Sequence, residues 1–478
     1  MFESVKRLGE IFIAPVYLSY TVLSGAYDAY KWIRGSKPAS PHGDASFMTE
    51  RELRKFSKPT GLMPGVSQRG RRIRLGDEAS MLMFGMRGAG KTQTANANIK
   101  ALNDARVKPD LLIADDHGDI EIACRSDLEA MGYQVIRIDL SDPLNSFTFD
   151  PFRYPNPNNE FEYEREIQRL AMLLMPESGK ENDAGEHFLE NARAVLEGSI
   201  VYEMEKDKRS IRGVCEFLLT DKKRRTEVFG KMRSHRNLLV KAAVDAFEAA
   251  GDRERGSMDT TLSRKLRPWL SNTLGHITTT DRGLNFDEMF LDPRPHAVFI
   301  RTGGADREHS GSFIRLVMGV AIFTVKRLWN VTKKPLPKGL LLIVDEPETV
   351  GNCSAFVVAL KELRKVGVNL FICFQSYAAL KETYRDYAAI WSNCTKVIAG
   401  GSGDIELFKQ ASLLAGDRTI HSKSWGTNGE SQHEAGKPLL RPDEIQTLPA
   451  DEVVVIGPGI LAKLKKPFQI RRHGVRYL

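Results

Sequence analysis

Residues 84–94, FGMRGAGKTQT, carry the pattern that decides the fold of this chain. Residues 85–92 fit G-x-x-x-x-G-K-[ST], after an apolar run (SMLMFG, residues 80–85) and before a segment compatible with a helix. In such a loop the glycines free backbone N–H groups to wrap a phosphate, and the helix N-terminus adds its positive end. The stretch therefore predicts a phosphate-binding loop between a strand and a helix.

The loop also assigns roles to individual side chains. Lys91 is predicted to reach the β- and γ-phosphate oxygens of a nucleotide, and the hydroxyl of Thr92 is predicted to coordinate Mg²⁺. The residues expected to contact the nucleotide are Gly85, Met86, Arg87, Gly88, Ala89, Gly90, Lys91, Thr92 and Gln93.

A second signal is LLLIVDE, residues 340–346, in which an apolar run delivers two acidic residues to the end of a strand. Open α/β sheets bind ligands at that end. Asp345 is predicted to hold the Mg²⁺ shell and Glu346 to polarise the attacking water. An acidic pair at a strand end also fits a cap of the next helix. Together with the phosphate-binding loop, the pair favours hydrolysis of ATP over simple phosphate transfer, which needs no such base.

Two polar residues flank the next apolar run, NLFICF at residues 369–374. Gln375 directly follows it and is a candidate reporter of the γ-phosphate. Arg364 and Lys365 precede it, and Arg364 is a candidate arginine finger for the site of a neighbouring subunit. On spacing alone, these residues also fit an ordinary strand-end glutamine and solvated surface cations.

Short apolar runs recur along the chain at the spacing of an α/β fold. They are residues 80–85, 111–115, 134–139, 297–302, 340–346, 369–374, 396–400 and 453–457. Nearly continuous apolar strands of this kind are typical of a parallel sheet buried on both faces. The sequence therefore predicts an open α/β core, mostly parallel, with helices on both faces.

The strand rhythm stops between about residues 156 and 285. Apolar residues recur there at helical spacing, and they include Ile167, Leu170, Leu174, Phe188, Ala192, Val195 and Ser199. We predict an all-α domain at residues 156–284, inserted into a nucleotide-binding domain made of residues 46–155 and 285–478. Residues 1–45 are predicted to form an N-terminal membrane-associated or partner-binding segment.

Within that N-terminal segment, residues 11–27 (IFIAPVYLSYTVLSGAY) carry no charged side chain. A run of about seventeen residues is at the lower limit for crossing a bilayer. It fits both a short membrane anchor and a helix that lies on a surface or on a partner.

Composition narrows the partners and the chemistry. The chain has 478 residues and a net charge of +8, which suits an acidic partner such as nucleic acid or an anionic membrane surface. The five cysteines are scattered and show no metal-ligand spacing, so we expect reduced thiols, no zinc site and no disulfide framework.

Several separated segments, read in order from about residue 75, resemble the coupling-protein ATPases of type IV secretion and bacterial conjugation. They are DDHGDI (115–120), SRKLRPWL (263–270), VDEPETVG (344–351), LRKVGVNLFICFQS (363–376) and LRPDEIQTLPADEVVVI (440–456). One departure is Pro347, which stands where the family usually has an apolar residue, often Phe.

The resemblance implies a RecA-like P-loop ATPase core that uses ATP and Mg²⁺ and assembles as a homohexamer. It implies a body on the cytoplasmic face of the bacterial inner membrane, with an N-terminal anchor. It also implies partners: a relaxase–DNA complex or another secretion substrate, and components of the type IV secretion channel. Under this resemblance Arg364 matches the family's trans-acting arginine and Gln375 its sensor.

A basic region is the candidate for DNA contact. Residues 221–241 hold eight Lys or Arg and two acidic residues, and Arg264, Lys265 and Arg267 lie beside Trp269. Cations beside an aromatic side chain suit neutralisation of phosphates together with base stacking. A charge run is also typical of a solvated helix face. Without helix-turn-helix or zinc-finger spacing, any DNA contact is expected to be independent of base sequence.

Two functions of different classes stay open at this point. One is a DNA-translocating ATPase that recruits a relaxase–DNA substrate to the secretion channel and drives transfer. The other is a membrane-docked adaptor for protein effectors, in which ATP binding only switches assembly. Glu346 and Arg364 favour the first, because an adaptor needs no complete hydrolytic set. A metabolic phosphotransferase is disfavoured, because no acceptor pocket is evident.

Overall fold

The computed structural model describes residues 42–177, 183–278, 283–304, 307–426, 429–471 and 474–477. Its α-helices are α1 (Glu50–Leu53), α2 (Lys91–Lys100), α3 (Asp119–Ala130), α4 (Glu160–Leu174), α5 (Asp183–Met204), α6 (Ile211–Leu219), α7 (Lys222–Arg233), α8 (Leu238–Ala249), α9 (Asp252–Leu266), α10 (Asn272–Ile277), α11 (Phe286–Leu291), α12 (Arg307–Thr332), α13 (Pro347–Val350), α14 (Ser354–Val358), α15 (Tyr377–Thr383), α16 (Tyr387–Asn393), α17 (Ile405–Ala415) and α18 (Pro442–Gln446). Its strands are β1 (Gly65–Val66), β2 (Arg72–Ile73), β3 (Ser80–Phe84), β4 (Asp110–Ala114), β5 (Gln134–Asp139), β6 (His296–Arg301), β7 (Leu340–Val344), β8 (Val368–Phe374), β9 (Cys394–Ala399), β10 (Asp417–Gly426), β11 (Gly429–Pro438), β12 (Glu452–Gly457), β13 (Ile460–Lys465), β14 (Phe468–Arg471) and β15 (Gly474–Tyr477).

One large sheet organises the molecule. Its eleven strands follow the order β2-β1-β13-β12-β9-β3-β8-β7-β4-β6-β5. The strands from β9 to β5 run parallel to their neighbours, and β12, β13, β1 and β2 extend the β9 edge in antiparallel fashion. Because parallel strands end at the same edge, the loops after β3, β4, β7 and β8 meet there.

Every predicted apolar run forms a strand of this sheet, which confirms the predicted α/β fold class. Strands β3, β4 and β7 are buried along their whole lengths. On one face Met81 and Met83 pack in a cluster with Ile99 of α2 and Ile120 of α3. The expectation of a parallel strand is wrong for residues 453–457, because β12 pairs antiparallel with β9. A continuous apolar run reports burial on both faces, which is typical of parallel strands but is also found in an antiparallel strand that extends a buried sheet.

The described residues between β5 and β6 form helices, α4 to α11, joined by turns and short 3₁₀ segments. Ile167, Leu170 and Leu174 are buried on α4, and Ala192 and Val195 are buried on α5, as the helical spacing predicted. Helix α5 packs against α8 and α9. The boundaries of an inserted domain at residues 156–284 stay a prediction.

The chain divides into two compact units. The smaller one contains residues 415–439 and, within the described part of residues 1–46, residues 42–46. In it, β10 and β11 form an antiparallel hairpin, and the N–H of Thr419 donates to the carbonyl of Gly43 at 2.9 Å. The larger unit contains residues 47–414 and 440–478. The hairpin was not predicted, because its strands are mostly polar and give no apolar signal.

Residues 11–27, the candidate membrane segment, lie outside the described residues. Across the part of the chain that is described, no helix is long and apolar enough to span a bilayer. The five cysteines are buried, and each carries a free thiol.

Candidate nucleotide-binding site

The phosphate-binding loop connects the buried strand β3 to α2, as the sequence predicted. Gly88 and Gly90 adopt φ angles of 82° and 84°, a region that disfavours residues with a Cβ atom. Gly90 is also packed closely: a Cβ atom there would lie 2.2 Å from Cζ of the Phe468 ring. Glycine at this position is therefore required both by the backbone conformation and by the space available.

Lys91 lies across the mouth of the loop. Its ammonium group donates to the carbonyls of Gly85 at 2.8 Å and Met86 at 3.2 Å. Lys91 is the first residue of α2, and its side chain turns back over the loop, where phosphate oxygens bind in P-loop proteins.

Thr92 and Asp345 are 253 residues apart in the chain and meet at the carboxyl edge of the sheet. The hydroxyl of Thr92 donates to Oδ2 of Asp345 at 2.5 Å. The other carboxylate oxygen, Oδ1, is buried and has no nitrogen or oxygen hydrogen-bond donor among the described residues, although the Cys373 thiol also lowers the pKa of this carboxyl group. Burial raises the pKa of Asp345, whereas the bond from Thr92 and the charge of Lys91 lower it. The Thr92 hydroxyl and this carboxylate form a donor set that fits Mg²⁺.

Two further polar residues surround this edge. Glu346 is exposed at the N-terminus of α13, and Gln375 is exposed directly after β8. A residue that the sequence reasoning missed, Glu348, accepts a hydrogen bond from the Gln375 N–H at 3.3 Å. Burial raises the pKa of Glu348, and the N–H groups and Lys91 nearby lower it. Glu348 thus links the acidic segment, defined as residues 344–351, to the end of the neighbouring strand β8.

The segment DDHGDI brings more carboxylates to the same edge. Asp115 follows β4 and accepts hydrogen bonds from the N–H groups of Ile120 at 3.2 Å and Glu121 at 2.7 Å. Burial raises the pKa of Asp115 to about 6. A cavity of about 30 Å³ lies between this segment and the acidic pair. It is lined by Asp115, Asp116, His117, Asp119, Asp345 and Glu346, among others.

Arg364 is not brought together with the loop of its own chain. It precedes β8, whereas the phosphate-binding loop follows the parallel neighbour β3. Arg364 and the loop therefore lie at opposite ends of the parallel strands. The Arg364 side chain is 55% exposed, and its Nε lies 3.4 Å from Oε2 of Glu78.

The basic region of the helical part is partly engaged inside the molecule. Arg225 of α7 pairs with Asp259 at 2.6 Å, and Arg233 pairs with Glu248 at 2.5 Å. Trp269 is only 1% exposed. The expectation that Trp269 stacks on bases is therefore wrong, because its ring is part of the core.

Phe468 is the second residue at the site that the sequence reasoning missed. It is buried and begins β14, nearly 380 residues after the loop it covers. The sequence does not predict this contact, because it forms only when distant segments pack together and a single aromatic residue belongs to no local pattern.

The fold and the site define a P-loop protein of the RecA-like class: a mostly parallel open sheet, a glycine loop after β3 and an acidic strand end on β7. Residues 45–473 match the family described as Type IV secretory system Conjugative DNA transfer. The chain belongs to this family, which confirms the resemblance read from its motifs.

Similar proteins carry related descriptions. A probable conjugal transfer protein TraG of Sinorhizobium fredii (strain NBRC 101917 / NGR234) is 30% identical over 130 residues, and the match spans 25% of this chain and 20% of that protein. The unbound monoclinic form of the bacterial conjugative coupling protein TrwBdeltaN70 has a TM-score of 0.68 at 17% identity, covering 91% of this chain and 96% of that one. The plasmid coupling protein TrwB in complex with ADP and Mg²⁺ has a TM-score of 0.66 at 16% identity, covering 91% and 96%.

Proposed function

We propose that this chain is a conjugative coupling protein that hydrolyses ATP with Mg²⁺ at the P-loop and uses the energy to drive DNA transfer. The observation that carries the proposal is the 2.5 Å contact between the Thr92 hydroxyl and Asp345. This contact supports the proposal, because Thr92 and Asp345 are the residues that would bind Mg²⁺ in a P-loop hydrolase. The related TrwB, described in complex with ADP and Mg²⁺, supports the same ligands here.

Each residue has a defined part in this reaction. Lys91 binds the phosphate oxygens above the loop, and Thr92 and Asp345 hold Mg²⁺. When bound, Mg²⁺ neutralises charge that develops on the phosphates. Glu346, exposed next to Asp345, accepts the proton of the attacking water. Gln375, at the end of β8, reports the γ-phosphate to the neighbouring strand.

Arg364 completes the site from a second copy of the chain. Its position at the sheet edge opposite the P-loop supports action in trans, because it faces away from its own site. An arginine finger stabilises charge in the transition state of phosphoryl transfer. We therefore propose a ring in which each Arg364 serves the neighbouring P-loop, as in a homohexamer.

DNA, the relaxase–DNA substrate and the secretion channel at the inner membrane are the proposed partners. Family membership supports them. The exposed lysines of α7, Lys222, Lys223 and Lys231, are the proposed contacts to DNA phosphates. The alternative is an adaptor for protein substrates in which ATP switches assembly only; turnover that DNA does not change would favour it.

Thr92→Ala tests the nucleotide chemistry. The full chain carrying this change is expected to hydrolyse ATP about 100-fold more slowly than wild type, because the metal loses one ligand. Thr92→Ser keeps the hydroxyl and is the matched control, with turnover close to wild type. Steady-state phosphate release at saturating Mg²⁺ measures both. Wild-type turnover in Thr92→Ala would contradict the assignment.

A further inference from the structure

Arg315, in the first half of α12, is a buried cation that the reaction described above does not use. It is only 7% exposed. Its guanidinium makes three hydrogen bonds: Nε donates to the carbonyl of Leu173 at 2.9 Å, Nη1 to the carbonyl of Val350 at 2.6 Å, and Nη2 to the hydroxyl of Ser312 at 3.3 Å. One side chain therefore joins three parts of the fold.

The two carbonyls belong to elements with different roles. Leu173 lies in the last turn of α4, at the start of the helical region between β5 and β6. Val350 is the last residue of α13, the single turn that directly follows Asp345 and Glu346. Carbonyls in the last turn of a helix have no partner within the helix, so both accept bonds from outside. Arg315 supplies those bonds to both ends at once.

Close packing makes this joint stiff. A Cβ atom on Gly311 would lie 2.0 Å from the carbonyl oxygen of Thr349, and one on Gly319 would lie 2.2 Å from Cδ2 of Leu173. Helix α12 therefore touches the acidic segment and α4 without room for movement between them. A second, parallel contact joins the same two segments, since the Asn352 amide donates to the carbonyl of Glu177 at 3.3 Å.

Burying the charged guanidinium of Arg315 costs free energy that burying a neutral side chain would not cost. Burial lowers the pKa of Arg315 to about 10, and the groups that oppose this shift are Cys353 and Tyr384. The side chain therefore stays charged at neutral pH. A planar guanidinium fixes several donors in one geometry, which a lysine ammonium on a flexible stem does not. The geometry of the donors, more than the charge, is what this position uses.

We infer that Arg315 is a positioning residue that couples the helical region to the hydrolytic site. Because the joint is closely packed, a shift of α4 moves Arg315 with it, and the guanidinium transmits the shift to Val350 and, through the single turn of α13, to the side chain of Glu346. Conversely, nucleotide binding next to Asp345 and Glu346 is expected to shift the end of α4. This inference rests on the proposed nucleotide function of the P-loop.

Arg315→Met and Arg315→Lys in the full chain test the coupling. In both, kcat for ATP hydrolysis is expected to fall at least about tenfold while KM stays within about twofold, because the P-loop is untouched. Asn352→Ala, on a partly exposed residue, weakens only the parallel contact and is expected to lower kcat to a smaller extent. It keeps the test valid if the Arg315 variants fold poorly.

Arg327→Met is the matched control. Arg327 lies on the same helix and also ties it to the helical region, through Asp287 at 2.8 Å and Glu166 at 3.9 Å. Among the described residues, no contact links Arg327 to the acidic segment. Arg327→Met is expected to lose thermal stability and to keep kcat. Equal losses of kcat in Arg327→Met and Arg315→Met would overturn the inference, because general loosening would then explain both.

Hydrogen–deuterium exchange separates this inference from the proposed function. Addition of a non-hydrolysable ATP analogue with Mg²⁺ is expected to change amide exchange in residues 160–175 of wild type and Arg327→Met, but not of Arg315→Met. A change that persists in Arg315→Met, or that is absent in a wild type that binds the analogue, overturns the coupling alone. A wild type that binds no nucleotide overturns the proposed function and the coupling with it.

Discussion

At the scale of residues, the carboxylates at the sheet edge lie where burial opposes their charge. Burial raises the pKa of Asp345, of Glu348 and of Asp115, the last to about 6. Lys91 and Thr92 offset part of this shift at Asp345. A bound divalent cation would offset the rest, which explains why a stable fold keeps these groups close together.

The raised pKa of Asp115 is expected to make the stability of the protein depend on pH. Its ordinary pKa is 3.8 and its folded pKa about 6, so the folded protein binds this proton more tightly than the unfolded chain. The stability that protonation contributes is fully present below about pH 4 and is lost as the pH rises through 6. The unfolding free energy of wild type minus that of Asp115→Asn is expected to fall over this window, by at most about 3 kcal/mol.

Urea denaturation of both proteins between pH 4 and pH 7 measures this difference. Asp115→Ser, a second neutral variant, is expected to give the same slope with pH, although its offset differs. A difference that does not change with pH would mean that Asp115 is not the titrating group.

At the scale of elements, α7 shows how a charge count and a structure diverge. The sequence shows eight cations in residues 221–241, but Arg225 and Arg233 are paired with carboxylates of neighbouring helices. Arg225 also lies 4.8 Å from the centre of the Phe247 ring. Arg225 is largely buried and ties α7 to α9, whereas Arg233 forms an exposed ion pair with Glu248. Lys222, Lys223 and Lys231 face solvent.

Replacing the exposed lysines is therefore expected to weaken DNA binding, whereas replacing the paired Arg225 is expected to lower thermal stability. Replacing Lys222, Lys223 and Lys231 together by Gln is expected to weaken binding to single-stranded DNA and to reduce the slope of log K against log salt by about 2. Thermal stability should stay close to wild type, since exposed side chains contribute little. Fluorescence anisotropy at several salt concentrations measures the slope.

Arg225→Ala is the comparison for that triple variant. It breaks a half-buried ion pair and is expected to lower the melting temperature, with a smaller effect on the salt slope. An unchanged slope in the triple variant would remove α7 from the DNA-binding surface.

The elements also show what sequence patterns report. Strands β3, β4, β7 and β8 were predicted because burial on both faces leaves an apolar run that is visible locally. The β10–β11 hairpin and the antiparallel edge of the sheet were not, because polar strands and strand direction leave no such trace. Trp269 shows the converse error, since an aromatic residue beside cations suggests a surface that binds bases, whereas Trp269 is buried in the core.

At the scale of the whole molecule, the proposed trans action of Arg364 requires a second copy of the chain. Lys91, Thr92 and Asp345 meet at one edge of the sheet, and Arg364 lies at the other. The first group was predictable because its motifs are local and their partners follow from strand order. Glu348, Phe468 and Arg315 were not, because their contacts arise only when distant segments pack.

Mixed assemblies test whether Arg364 acts in trans. Lys91→Ala and Arg364→Ala chains are each expected to be inactive alone. Co-expressed in equal amounts, they are expected to recover about a quarter of wild-type turnover, the share of sites in which an intact P-loop meets an intact arginine. Mixtures that stay inactive would place Arg364 outside the site or within its own subunit's site.

The most direct test of the proposed DNA motor is ATP hydrolysis by the full chain with and without single-stranded DNA, beside Lys91→Ala and Glu346→Gln. DNA is expected to stimulate wild-type turnover, and both variants are expected to abolish it, because the P-loop lysine and the base next to Asp345 are both required. Turnover that ignores DNA, while ATP still promotes assembly of the chain, would contradict the motor and favour the adaptor.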